Sequence, residues 1–429
     1  MNPFMKDKTS KKRILWFSNN NFSDKDSGNP GGTWHYPLAK KLIDTGEIEL
    51  CNVLCRNVKT PFRQDAGPIL QWVVPDSKHK DDGLPSVKIV NGILEVIKAF
   101  SPDIVHMWGT EYFHGLLTAR KLIQSPALLE IQGLKEPYAR VYAGGLTGRE
   151  QRACIGFKEL IKKRSIASGR RAFEKWSCYE REIIAGHRFI ATQSPWVEAW
   201  IKNSNNSARI FHSELILREP FYNASPWRPQ NAPIIFCSFS YPVPYKGIHD
   251  AVKTFALLKK NIPNARMHIA GAVQSSGIRQ DGYIAMINRM AVSMNIEKQI
   301  DWLGPLSAIN IVKELQNCSL MLMPSHCETY CVAMAEALYL GVPVVTAHTG
   351  GTNWLGRDEE SALFFCPGDE VMCAYQLERI LTNKGLAKKL SHNARSIALK
   401  RNDHERIVKN QVGIYRQIIA NKHSDILNK

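Results

Sequence analysis

The chain has 429 residues, 44% hydrophobic and 22% charged, with a net charge of +17. That profile is of a soluble globular protein long enough for two domains of ordinary size, and it lacks the roughly 20 consecutive apolar residues that cross a bilayer. Met1 to Arg13 is polar and basic with no apolar run behind it, so no secretory signal is expected and the protein is read as cytoplasmic. The charge excess suits polyanions: nucleic acid, anionic lipid or phosphorylated substrates. No helix-turn-helix, zinc-finger or aromatic-studded RNA-binding signature is present, so nucleic acid is not expected as a partner.

Ten irregularly spaced cysteines read as reduced, mostly buried thiols rather than a disulfide framework. His326, Cys327 and Cys331 cluster in sequence, but no Cys-x-x-Cys pair or second ligand set accompanies them; neither a metal nor a cofactor is expected.

Along the chain, Arg13 to Ser18 reads as a buried parallel strand, followed by a polar loop to Gly32 and a helix from about Thr33 to Thr45. Ile48 to Cys55, Ile104 to Trp108, Ala127 to Gln132 and His187 to Thr192 are further strands. Helices are predicted between them over Val87 to Phe100 and Glu111 to Ile123, and after them from Pro195 to Lys202. This rhythm means βαβ units on a parallel sheet. The densest basic run, Lys158 to Lys175, interleaves Lys162, Lys163, Arg164, Arg170 and Arg171 with Phe157, Leu160, Ile161 and Ile166. Two readings stand: a helix that buries its apolar stripe and offers a cationic face to an anionic membrane, or an ordinary solvated helix face.

Glu219 to Pro233 carries four prolines without periodicity and reads as an inter-domain linker. A second alternating series follows, with strands at Ile234 to Phe239, Arg266 to Ala270, Ile300 to Leu303, Leu320 to Met323, Val342 to Thr346 and Ala362 to Phe365. The expected division is an N-terminal domain over residues 1–222 and a C-terminal domain over 223–400. A helical tail over 401–429 is expected to pack back toward the first domain. Facing doubly wound domains put their strand carboxyl ends, and thus a ligand crevice, at the interface.

The most informative stretch is Met323 to Gly351. A strand ends at Met323, a polar loop holds Glu328, and a helix from about Val332 carries Glu336. The N–H groups of Tyr330, Cys331 and Val332 at that helix terminus favour an anion such as a diphosphate, while the two carboxylates can accept from sugar hydroxyls. Lys246-Gly247 ends another strand-loop segment, where an ammonium can neutralise a phosphate.

In order, Pro244-Tyr-Lys-Gly247, His268-Ile-Ala-Gly-Ala272, Trp302-Leu-Gly-Pro-Leu306, the Glu328/Glu336 pair, Gly341-Val-Pro-Val-Val345 and Thr349-Gly-Gly351 resemble the retaining GT-B glycosyltransferases of the large family 4 type, the glycosyl transferases group 1. The resemblance implies the GT-B fold and transfer from a nucleoside-diphosphate sugar with retention. It puts Lys246 on the diphosphate, Glu328 at the donor sugar in a catalytic role, Glu336 at the ribose, the backbone of Tyr330 to Val332 on phosphate, and Leu306 near the base. Gly31-Gly32 matches the family's glycine pair near the transferred sugar. Pro102-Asp-Ile-Val-His106 matches the strand whose histidine stands at the acceptor side of the cleft, implying a catalytic role for His106. Gly109-Thr-Glu111 with His114, Ile131-Gln-Gly133, Ser213-Glu-Leu215, Leu217-Arg218 and Phe221-Tyr222 resemble a bacterial surface-polysaccharide subgroup, with Glu111 and His114 on the acceptor side. The implied acceptor is a saccharide or lipid-linked saccharide at the inner face of the cytoplasmic membrane, in cell-envelope polysaccharide synthesis. Trp108 stands where many relatives carry a second histidine, and two further departures bear on the donor site. Tyr241 stands where the family carries an arginine, and Thr329-Tyr330-Cys331 replaces Gly-Phe-Gly. They motivate an alternative, a donor-binding scaffold subunit with little catalytic power.

Overall fold

The protein is described by a computed structural model over residues 11–22, 34–76, 80–271 and 281–427. Short apolar runs bounded by turn residues become buried strands. Ile14 to Phe17 and Leu320 to Met323, for example, are almost wholly withdrawn from water.

The N-terminal sheet contains β1 (Lys12–Phe17), β2 (Ile48–Arg56), β3 (Phe62–Ala66), β4 (Ile69–Pro75), β5 (Ile104–Trp108), β6 (Ala127–Glu130), β7 (Phe189–Thr192) and β8 (Arg209–His212). Their spatial order is β3-β4-β2-β1-β5-β6-β7-β8, parallel except for the antiparallel β3–β4 pair. The C-terminal sheet contains β9 (Ile234–Ser238), β10 (Arg266–Ala270), β11 (Ile300–Gly304), β12 (Leu320–Met323), β13 (Val344–Ala347) and β14 (Leu363–Phe365). It runs β11-β10-β9-β12-β13-β14, parallel throughout. Both are open α/β sheets, in agreement with the fold class read from the sequence.

The details differ in places. The β3–β4 hairpin and β8 are not anticipated: β3 is a polar, largely exposed edge strand without an apolar face, and β8 is four residues long. The predicted helix over Glu111 to Ile123 shrinks to His114–Ala119. The basic run is not one helix. It breaks after Phe157–Ile161, where Lys163 takes a left-handed φ of 48°, and Ser165 caps a new helix, Ile166–Ala185, by accepting from Ser168 N at 3.1 Å. Phe157, Leu160 and Ile161, which the membrane-facing reading would bury, are exposed at 58%, 65% and 65%.

The chain crosses between domains twice, through residues 213–222 and again near Asn402. The crossings are tied together: Leu217 N donates to Tyr222 Oη at 3.0 Å, and Tyr222 Oη donates to Asn402 O at 3.0 Å. Beyond the second crossing the helix His404–Leu427 lies on the first domain, inserting Ile407, Val412, Tyr415 and Ile418 into a core shared with Ile14, Trp16 and Ile104. Tyr415 Oη accepts from Trp16 Nε1 at 3.0 Å and bonds His106 Nδ1 at 2.8 Å. Tyr415→Phe strands both buried partners. We expect it to cost about 1–3 kcal/mol in denaturant unfolding without changing helix content by circular dichroism.

Candidate active site

The site is assembled where loops leave the carboxyl ends of β9, β12 and β13. After β9 a 3-10 turn, Pro244–Lys246, ends at Gly247, whose φ of 73° and lack of a side chain are both needed. A Cβ there would sit 2.3 Å from Pro324 O. The turn delivers Lys246 Nζ to Glu328 Oε1 at 2.7 Å, with side chains only 18% and 7% exposed. Burial opposes the Lys246 charge, but the Glu328 carboxylate outweighs it and holds the ammonium above its ordinary range. Gly350 and Gly351, after β13, let that loop lie against the backbone of Glu328 and Thr329. A Cβ on either would fall 1.9 or 2.0 Å from the carbonyl oxygens of those residues.

Downstream of Glu328 the helix Val332–Leu340 begins without a side-chain cap, leaving its first N–H groups for an anion. Its N-cap, Cys331, holds a left-handed φ of 75°, a conformation that glycine adopts without strain. The other replaced glycine, Thr329, bridges the domains: its Oγ1 donates to Gln132 O and its carbonyl accepts from Ser194 Oγ at 3.3 Å. The Tyr330 side chain is buried and turns to the crossings, where its hydroxyl donates to Glu214 Oε2 at 3.3 Å and accepts from Asn402 Nδ2 at 3.4 Å. Tyr330, Cys331 and Val332 can therefore offer backbone, not side chains, at the helix terminus.

Glu336 is 2% exposed and is clasped by Arg218, with Nε to Oε1 and Nη2 to Oε2 both at 2.6 Å. Burial raises its pKa, and Arg218 opposes that rise. Leu306 follows β11 and is half-buried against the C-terminal core. Gly32 lies outside the described residues.

The structure places both acceptor-side histidines in the interior. His106 is fully buried between Trp16 and Trp108. Its Nδ1 is taken by Tyr415, and Nε2 lies 3.3 Å from Glu130 Oε2 in poor alignment for a hydrogen bond. Burial lowers its pKa, and Glu130 opposes that fall. His114 is also sealed, stacked on Phe17 with Nε2 3.2 Å from Cys55 Sγ. Glu111, by contrast, sits half-buried at the tips of β5 and β6. Its carboxylate fills space that a Cβ on Gly109 or Gly133 would take, at 2.0 and 2.4 Å. Burial raises its pKa against the pull of Lys135.

His326 clusters with His249 and Asp250 rather than with Cys327 and Cys331. Among the described residues these three form the one group whose ligand atoms fall within 4.8 Å of one another, so they could hold a metal ion. Protein partners already engage them: His326 Nε2 meets Asp250 Oδ2 at 2.6 Å, while His249 bonds Gly144 O at 2.8 Å and Tyr283 Oη at 2.7 Å. Burial pushes the Cys327 thiol up to about 12, which makes it a poor thiolate ligand.

Residues 224–397 match the sequence model of the family described as "Glycosyl transferases group 1". Over 181 residues the chain is 25% identical to the D-inositol 3-phosphate glycosyltransferase of Salinispora tropica, covering 41% of this chain and 37% of that protein. It is 25% identical over 150 residues to the glycogen synthase of Mycobacterium tuberculosis, covering 35% and 34%. The chain thus spans well under two thirds of the length of these curated relatives. Among solved structures, sucrose-phosphate synthase from Thermosynechococcus elongatus superimposes with a TM-score of 0.72 at 15% identity, covering 96% of this chain and all 100% of that one. The Anabaena protein HepE, solved in complex with UDP-glucose, gives 0.65 at 14% identity, covering 96% and 99%. The fold is GT-B.

Behind Glu111, Glu180 generates a pH prediction. It accepts from Thr110 Oγ1 and Lys135 N, both at 2.8 Å, and from Glu136 N at 3.1 Å. Burial nevertheless lifts its pKa from 4.5 to about 7. A carboxyl raised in the folded state keeps its proton while the unfolded chain loses it, so stability falls as pH rises from about 4.5 to about 7. The single-site drop is about 3 kcal/mol, and Glu180→Gln should flatten that part of the stability–pH curve.

Proposed function

We propose that this chain, whose residues 224–397 match the group 1 glycosyl transferase family and whose fold is GT-B, transfers a glycosyl group from a nucleoside-diphosphate sugar to an acceptor hydroxyl. The observation that carries this reading is the Lys246–Glu328 pair beside the uncapped helix at Val332. Without donor, the ammonium and the carboxylate satisfy each other. An arriving diphosphate offers Lys246 a denser anion and frees Glu328 to accept from sugar hydroxyls. In the transfer step the bond from the anomeric carbon to the diphosphate breaks, the acceptor oxygen bonds to that carbon, and the acceptor proton passes to the departing phosphate. Lys246 and the helix N–H groups take up the charge that grows on the leaving group. Retention of configuration is part of the proposal and rests on the resemblance. Glu111 is the acceptor-side carboxylate we assign to orienting a hydroxyl, because it is half-exposed at the tips of β5 and β6, seated against Gly109 and Gly133. The family's phosphate arginine is replaced by Tyr241, so more of the leaving-group charge falls on Lys246.

We place the reaction at the inner face of an anionic membrane, with a lipid-linked saccharide as acceptor and cell-envelope polysaccharide as product. Exposed Phe157, Leu160 and Ile161 stand among exposed Lys162, Lys163 and Arg164, a combination suited to shallow insertion beneath anionic headgroups. A second reading, a donor-binding scaffold, is favoured by Thr329 and Cys331 standing where glycines let substrate approach.

Lys246→Met should lower nucleoside-diphosphate release from a panel of UDP-, GDP- and ADP-sugars by about a hundredfold to a thousandfold, with thermal unfolding still cooperative. Wild-type binding without any turnover would favour the scaffold. Replacing Phe157, Leu160 and Ile161 together by Ser should abolish co-flotation with phosphatidylglycerol vesicles while leaving turnover on a soluble acceptor intact.

A further inference from the structure

A buried carboxylate that already holds an arginine in a bidentate grip is usually read as a structural ion pair. The surroundings of Arg218 and Glu336 point further. Glu336 lies five residues beyond Cys331 on the helix whose uncapped start faces the diphosphate site, about 7 Å along the axis at 1.5 Å per residue. In a nucleotide the ribose is joined to the phosphate through one methylene group, so a carboxylate at this remove is within reach of the ribose hydroxyls. Arg218 uses one acceptor direction on each Glu336 oxygen, and an ionised carboxylate offers about four in all. The arginine therefore takes about half of that capacity and holds the side chain against rotation.

Arg218 does not belong to the sheet that binds the nucleotide. It sits on the first inter-domain crossing, whose backbone is fixed by the Leu217–Tyr222–Asn402 hydrogen bonds, and its guanidinium rests 5.1 Å from the Phe221 ring centroid. The crossing, rather than the helix, sets where the Glu336 carboxylate points. We propose that Arg218 is a specificity-determining positioning residue: it aims Glu336 so that the protein reads the 2′- and 3′-hydroxyls of the donor ribose. The inference rests on the nucleotide-sugar reading above. It adds that preference for ribose over deoxyribose is set from outside the donor domain.

The test is calorimetric titration of the full chain with UDP, GDP and ADP, and then with the 2′-deoxy form of whichever binds. Wild type should bind the ribonucleotide about tenfold to a hundredfold more tightly, the range of a hydrogen bond to a charged group. In Arg218→Met that preference should collapse to the level of Glu336→Gln, with Arg218→Lys intermediate, and thermal unfolding checks that each variant is folded. If Arg218→Met does not fold, Arg218→Lys carries the test alone, because it keeps the charge and loses the planar fork. A purely structural pair would alter stability and leave the preference unchanged, which overturns the inference. Collapse in Glu336→Gln alone would keep the ribose contact and remove Arg218 from it. Wild-type binding to none of the nucleotides would overturn the donor reading as well.

Discussion

A carboxylate withdrawn from water must be matched by a cation or by several donors, and a buried one left alone is among the costliest defects a fold can carry. Glu328 and Glu336 impose this twice within eight residues. Lys246 arrives from the turn after β9 to meet the first, and Arg218 arrives from the inter-domain crossing to meet the second. The tight turn at Gly247 and the hydrogen-bonded crossings bring those cations into place, and the glycine pair after β13 lies against the backbone of the loop that holds Glu328. The same pairing suits exchange with a ligand. In the proposed donor complex a diphosphate takes over Lys246 and sugar hydroxyls donate to Glu328.

The parallel sheets were legible because most strands are short apolar runs between turn residues and because helices alternate with them. The β3–β4 hairpin was not, since Phe62–Ala66 is an exposed edge strand with little apolar content. Spacing and the family resemblance single out Lys246, Glu328 and Glu336, and the structure brings the first two together at 2.7 Å where loops leave the strand ends. The burial of His106 could not be read. Whether a histidine at the end of β5 faces the cleft or the core depends on Tyr415, 309 residues away, and no local pattern carries that information. The partner of Glu336 was hidden for the same reason, because Arg218 lies 118 residues upstream.

The departures from the family's glycines acquire a physical meaning. Thr329 joins the two domains through Gln132 and Ser194, and Tyr330 joins the donor loop to Glu214 and Asn402. Thr329 and Tyr330 therefore couple the loop after Glu328 to the first domain and to the inter-domain crossings. The loop that holds Glu328 is thus fastened directly to the other domain.

The central claim, that Lys246 exchanges Glu328 for the donor diphosphate, is tested most directly by a crystal structure with a nucleoside-diphosphate sugar bound. The account predicts Lys246 Nζ within hydrogen-bond distance of a phosphate oxygen and Glu328 turned to a sugar hydroxyl, with the diphosphate at the N–H groups of the helix beginning at Val332. A diphosphate bound elsewhere, with the Lys246–Glu328 pair still closed, would contradict it.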